Sequence, residues 1–401
     1  MRPRYLLQLL LIAALCGSLC AGCWNRREPE LLGVVLAVAF DYNQEKNLYE
    51  VIAQLANPIV LEKEPNSSPG GGGGKAFWTA SAQGKTPFEA IRNLTEISSR
   101  ELFWAHCRVT LFSEELARRG LKEVLDLFER ERQFRLIAKP VVVEGDLRKI
   151  MEDDFPIEKT GARGLDRLIV TTRFEKSIFP ENNLNELITI LSQPGKEMII
   201  GRLEVLEAPQ NSNGSEDEEA IPAPARIGGS ALFRGDRMVG WATSKQTQGW
   251  AYATGHAYRS TLVIESPVGK GNFVSIETGD HDSQMKLHSD EENWRIELKV
   301  NIDGRIQEFS GPGELDTESE LTRSLERRAA ATVRNQIEEM LSRSQELKAD
   351  VCGFGNLVYR KNPQLWQKLG PAWDDEIFPG LKVDLQVKFK ILRTGLIKPP
   401  L

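Results

Sequence analysis

Histidine is scarce in this chain. Only His106, His256, His281 and His288 occur in 401 residues, and none stands at a spacing that metal binding or nucleophile activation needs. His281-Asp282 and the run His288 to Glu292 read as a turn-rich, solvated hairpin. There is no G-x-S-x-G elbow and no H-E-x-x-H helix, and the carboxylates are scattered. The expectation is therefore no enzyme, no metal and no cofactor. Cysteine is nearly absent from the body. Of five, Cys16, Cys20 and Cys23 crowd at the N-terminus, leaving only Cys107 and Cys352. That excludes a disulfide scaffold and a cysteine metal knot, and the apolar surroundings of both read as buried thiols. Positive charge is also lacking. The net charge is −6, which argues against nucleic acid as a partner, because phosphate binding needs clustered Lys and Arg.

Only one apolar run is long enough to interest a membrane, and it lies at the start. Arg2 and Arg4 precede an apolar stretch from Leu6 to Leu19, which narrows to Ala21-Gly22 before Cys23. The basic, apolar, small-residue order is that of a secretory signal. The apolar part falls short of the roughly 20 residues a span requires. Small residues directly before a Cys make the lipoprotein form of the cleavage site, with cleavage between Gly22 and Cys23 and lipid on the Cys23 thiol. Cys20 departs from the usual site, where Leu is common. An uncleaved anchor over residues 6–22 is the competing reading. Removing residues 1–22 takes away the two charges of Arg2 and Arg4 and moves the net charge from −6 to −8. A body this acidic has no broad electrostatic hold on anionic lipid, so the anchor would supply attachment.

The body reads as α+β, with mixed, largely antiparallel sheets packed with helices. Leu31 to Asp41 is a buried strand, and Tyr49, Val51, Ala53 and Leu55 mark a second, joined to it by a hairpin. Five glycines, Gly70 to Gly74, precede Lys75. Lys75 is followed by Ala76 rather than Ser or Thr, so this is a flexible loop and not a phosphate cradle. Thr86-Pro87-Phe88-Glu89 opens a helix with a capping box. Leu102 to Phe112 reads as one strand, with His106, Trp104 and Arg108 on its polar face. Ser113 caps a short helix ending at Gly120. A further helix runs from Leu121 to Phe128, a strand over 135–144, short helices over 146–151 and 183–191, and an extended segment over 197–206. The acidic, Pro-rich stretch 208–226 reads as a linker between domains at 23–207 and 227–401.

In the second domain, strands at 227–234 and 238–243 flank a turn at Gly235-Asp236. Further strands are expected at 262–265, 272–277 and 294–302. Thr317 and Glu320 make a second capping box for a long helix over 318–347, with a stripe of Leu321, Leu325, Ala329, Val333, Ile337 and Leu341. In the last strand Val383, Leu385, Val387, Phe389 and Ile391 alternate with polar residues, which marks an antiparallel or edge position. Trp241, Trp250, Tyr252 and Tyr258, and near the end Trp366, Trp373 and Phe378, either form recognition surfaces or pack the core. Core packing is the simpler reading.

Four segments, in order, resemble the Ger(x)C spore germination lipoproteins. They are Gly22-Cys23-Trp24-Asn25-Arg26-Arg27-Glu28; His106 through Ala117; Gly229 to Trp241; and Asp350 to Gly395, DVCGFGNLVYRKNPQLWQKLGPAWDDEIFPGLKVDLQVKFKILRTG. The resemblance covers essentially the whole mature chain, with the loops at 70–74 and 208–226 as insertions. It implies a non-enzymatic C subunit of a nutrient germinant receptor, lipid-anchored through Cys23. Its expected place is the spore inner membrane, beside an A-type and a permease-like B-type subunit. It carries over no catalytic residue. The alternative from the residues alone is an extracytoplasmic solute-binding lipoprotein serving a transporter. The second half, with strands, one long helix and a strand, lacks the repeated βαβ pattern such proteins show.

Overall fold

The computed structural model describes residues 4, 5, 11, 28–61, 75–155, 157–206, 225–290, 293–310 and 319–393. The signal segment, Cys23, the five-glycine loop and residues 207–224 lie outside them. Two sheets carry the fold. The first has nine strands in the order β3-β2-β1-β5-β6-β7-β8-β9, with β4 pairing on β1. These are β1 Leu32–Asn43, β2 Leu48–Ala56, β3 Phe77–Gly84, β4 Glu101–Phe103, β5 Val109–Ser113, β6 Lys139–Glu144, β7 Ile199–Val205, β8 Ala225–Arg234 and β9 Arg237–Ala242. Its centre, β1-β5-β6-β7, is parallel, and both wings are antiparallel. That explains the unbroken apolar runs in the sequence: Val141, Val142 and Val143 are all fully buried, because helices cover both faces.

Besides a single turn at Pro58–Leu61, the helices of this part among the described residues are α1 Pro87–Asn93, α2 Glu114–Arg119, α3 Lys122–Arg130, α4 Leu147–Glu152, α5 Gly161–Lys176 and α6 Leu184–Leu191. Caps set their starts. Thr86 accepts the Glu89 N–H at 3.1 Å, but the Glu89 carboxylate turns back one residue further, to the Lys85 N–H at 2.6 Å. Ser113 caps α2, which ends at Gly120 with φ of 134°. Asn183 and Glu186 form a complete capping box on α6. One expectation fails here. Leu102 to Phe112 is not a single strand. A turn of 3-10 helix, Trp104–His106, separates β4 from β5, because Trp104 rolls inward to pack on Phe134, with ring centres 4.9 Å apart. Helix α5, the longest of this part, carries no strong sequence stripe and was not anticipated; its glycines at 161 and 164 sit tightly against Gln54 and Phe155.

The second sheet has the order β10-β11-β12-β13, from Thr261–Glu265, Phe273–Ser289, Trp294–Phe309 and Val383–Arg393. Strand β13 is an edge, as its alternation requires, and it runs parallel to β12. His281 and His288 lie within the long strand β11, not in a turn-rich hairpin. Helix α7, Ser244–Thr254, and the long α8, Glu320–Glu346, pack on this sheet, followed by α9, Phe354–Lys361, and α10, Pro363–Leu369. Leu325, Ala329, Val333 and Ile337 are completely buried. Leu321 and Leu341 only flank the core, since a strict spacing of four drifts around a 3.6-residue helix and Met340 takes the inner place. The N-cap of α8 is Ser319, which accepts the Thr322 N–H at 3.1 Å; Thr317 and Glu318, where the helix was expected to start, lie outside the described residues.

The two sheets do not part at residues 208–226. β8 and β9 follow that stretch in sequence yet complete the first sheet against β7. The molecule is α+β with two domains, and the chain passes from the first sheet to the second through α7.

Candidate functional site

The motif Asp350-Val351-Cys352-Gly353-Phe354-Gly355 forms a dense, buried polar site. It follows α8, and Gly353 has φ of 78°, so the backbone turns back on itself. The turn aims three N–H groups at the Asp350 carboxylate, from Gly353 at 2.8 Å, Phe354 at 3.1 Å and Gly355 at 2.7 Å. The Trp373 indole donates a fourth hydrogen bond at 3.1 Å. Asp350 is wholly buried, and that burial pushes its carboxyl up to about 6 even against these donors. Gly355 cannot carry a side chain, since a Cβ there would meet the Trp373 ring at 2.6 Å.

This loop clamps the second domain onto the first. Glu197 N–H donates to the Asp350 carbonyl at 3.0 Å, and Asn356 N–H to the Gly195 carbonyl at 2.7 Å. Asn356 also donates from its side chain to the Pro194 carbonyl at 3.1 Å. The Glu197 carboxylate accepts the Gly235 N–H of the β8–β9 turn at 2.6 Å, and burial pushes it up to about 7. Arg234 pairs with Asp375 at 2.8 Å across the same joint. Trp373 stacks in a tilted chain with Trp366 and Trp294, with centroids 5.6 Å and 6.0 Å apart. The C-terminal tryptophans are therefore core and brace. The same holds for Trp250, whose indole donates to the Val351 carbonyl at 3.1 Å, and for Tyr252, which is fully buried.

The histidines do not converge. His106 is exposed on its 3-10 turn. His256 stacks on Trp250, and burial lowers its pKa. His281 lies on β11, and His288 contacts Glu297 at 3.1 Å. Among the described residues no group of three or more His, Cys, Asp or Glu side chains could hold a metal ion. Cys107 and Cys352 are free and buried, and burial raises both thiols, Cys107 to about 12. Such thiols are poor nucleophiles. Cys23, the expected lipidation residue, lies outside the described residues.

Two family profiles match the chain in order: the spore germination protein N-terminal domain over residues 25–205, and the spore germination B3/GerAC-like C-terminal domain over 228–395. The chain belongs to the Ger(x)C family of spore germination proteins and has a role in spore germination. It is similar to spore germination protein KC of Bacillus subtilis (strain 168), 24% identical over 95% of this chain and 94% of that protein. Spore germination protein A3 of the same organism is 23% identical over 94% and 95% of the two chains. The crystal structure of the GerBC protein shares the fold, with a TM-score of 0.52 and 16% identity, covering 89% of this chain and 97% of the other.

Proposed function

We propose that this protein is the lipid-tethered subunit of a nutrient germinant receptor. Signal cleavage between Gly22 and Cys23 and acylation of Cys23 would hold the α+β body on the outer face of the membrane, in spores the inner membrane. There it would act without catalysis beside an A-type and a permease-like B-type subunit. The observation that carries the reading is the match of both family profiles, in order, across nearly the whole body. A basic, apolar, small-residue-Cys segment immediately precedes the first. Among the described residues no helix is long and apolar enough to cross a membrane. The profile limits at 205 and 228 flank the 208–226 stretch, whereas the first sheet takes in β8 and β9 beyond it.

The test is genetic. Spores lacking this chain should lose germination with some nutrients and keep nutrient-independent germination. A normal response to every nutrient would overturn the receptor reading. Cys23→Ala should abolish processing and release the body from membranes, and retention of both would overturn the anchor. Tight saturable binding of a nutrient to the isolated body would favour a solute-binding protein instead.

A further inference from the structure

The end of the first sheet where the chain enters β1 carries a feature that the joint at Asp350 does not use. Strand pairing puts the start of β1, the end of β2, the start of β3 and the start of β5 at one end of the sheet. Around that end lies a cavity of about 380 Å³ whose lining includes Arg108, Lys159, Arg163, Asp166 and Arg167. Four permanent cations thus face one carboxylate. That carboxylate, Asp166, is buried and already neutralised by Arg108 at 3.2 Å and by Lys139. Arg163 is balanced by Glu158 at 2.8 Å. Lys159 and Arg167 are exposed, and among the described residues neither has an ion-pair partner. Apolar side chains stand out beside this basic pocket. Ile157 is 92% exposed, Ile59 69% and Leu31 63%. Leu31 immediately precedes β1 and Ile59 lies three residues beyond β2, so both belong to this end.

We infer that this end of the first sheet is a membrane-docking surface, with Lys159 and Arg167 receiving the phosphate of an anionic phospholipid and Ile157, Ile59 and Leu31 entering the headgroup layer. The inference rests on the anchor reading for its occupant. Cys23 is nine residues before Leu32, and an extended chain covers at most about 3.5 Å per residue, so a lipid there keeps this end within about 32 Å of the bilayer. Basic side chains near an anionic leaflet are attracted within a Debye length, and exposed Ile and Leu rimmed by charge mark an interaction surface. The body as a whole is acidic, so only a local cluster can supply this attraction. It would also orient the body, leaving the second domain for protein contacts.

The test couples the chain from residue 23 onward to vesicles through a maleimide lipid on Cys23. Cys107 and Cys352 are buried and are spared. Amide hydrogen exchange is then compared on phosphatidylcholine vesicles with and without phosphatidylglycerol. Residues 58–61 and 157–167 should exchange about ten-fold more slowly on the anionic vesicles alone. High salt, the double substitution Lys159→Glu/Arg167→Glu, or Ile157→Ser should each remove that protection. All three residues are exposed, and an unchanged melting curve verifies the variants' fold. Equal exchange on both vesicles, or unaltered protection in the double variant, overturns the proposal. So does equal slowing by inorganic phosphate without vesicles, which would make the pocket a free-anion site. Because the tether is chemical, these outcomes are independent of whether cells acylate Cys23, which the Cys23→Ala fractionation reads separately.

Discussion

Asp350 and Glu197 show how single carboxylates can hold two domains together and make that hold depend on pH. Both are pushed up by burial, Asp350 to about 6 and Glu197 to about 7. A carboxyl whose pKa is higher folded than unfolded binds more protons in the native state between the two values. Stability therefore falls as pH rises through that window. For Glu197 the window runs from about 4.5 to about 7. Glu197→Gln keeps an acceptor for the Gly235 N–H but cannot ionise. It should flatten the decline over that range and gain about 1–2 kcal/mol at pH 8, read by urea unfolding at several pH values. Asp350→Asn should act oppositely. Its amide nitrogen would face N–H donors, and a loss of about 2–4 kcal/mol is expected by the same measurement. The Asp-Val-x-Gly-Phe-Gly pattern is visible in sequence as a family mark. That its carboxylate cages three backbone donors and a distant indole is not, because Trp373 reaches it only through the fold.

At the scale of elements, α7 and α8 form the spine of the second domain. Gly249 on α7 is needed for their approach, since a Cβ would stand 2.1 Å from the Gln336 carbonyl oxygen on α8. Gly249→Ala should lower stability by about 2 kcal/mol or more through this overlap. Leu325→Ala, which empties a completely buried site, should cost about 2–4 kcal/mol, and Leu321→Ala clearly less. Thermal melts of the three variants check the order. The long helix was legible because its stripe lies in one contiguous stretch, although its cap is Ser319 rather than the expected Thr317. Helix α5 was not anticipated: its first turn packs through Gly161, Ala162 and Gly164, which carry little hydrophobic signal, and its buried Leu165 and Ile169 make only a short stripe. The break between β4 and β5 was hidden for a similar reason. Alternation continues through Trp104 and His106 in sequence, but the indole's best packing partner, Phe134, lies across the fold.

For the whole molecule, the first sheet requires chain from both sides of residues 208–226. A fragment of residues 23–206 leaves β7 without its antiparallel partner and removes the fully buried Ala231, Leu232 and Phe233 of β8. It should aggregate, whereas residues 23–242, which retain β8 and β9, should stay soluble with more native-like circular dichroism. Equal solubility of the two in size-exclusion chromatography would show that β8 and β9 are dispensable to the first domain.

Local chemistry was enough to settle several things in advance. Periodicity, caps and turn residues located most strands, α2, α6 and α8, and the edge character of β13, because each depends on neighbours in sequence. The tertiary structure alone decided that β8 and β9 join the first sheet, that the tryptophans brace the Asp350 loop, and that basic side chains from β5's approach and α5 meet at one cavity. Those outcomes depend on contacts between residues tens to hundreds of positions apart, where no periodic pattern reaches. The leading Cys23 reading was available from residues 2–23 alone. The end of the body that the proposed lipid at Cys23 would keep nearest the bilayer is set by where the fold begins β1.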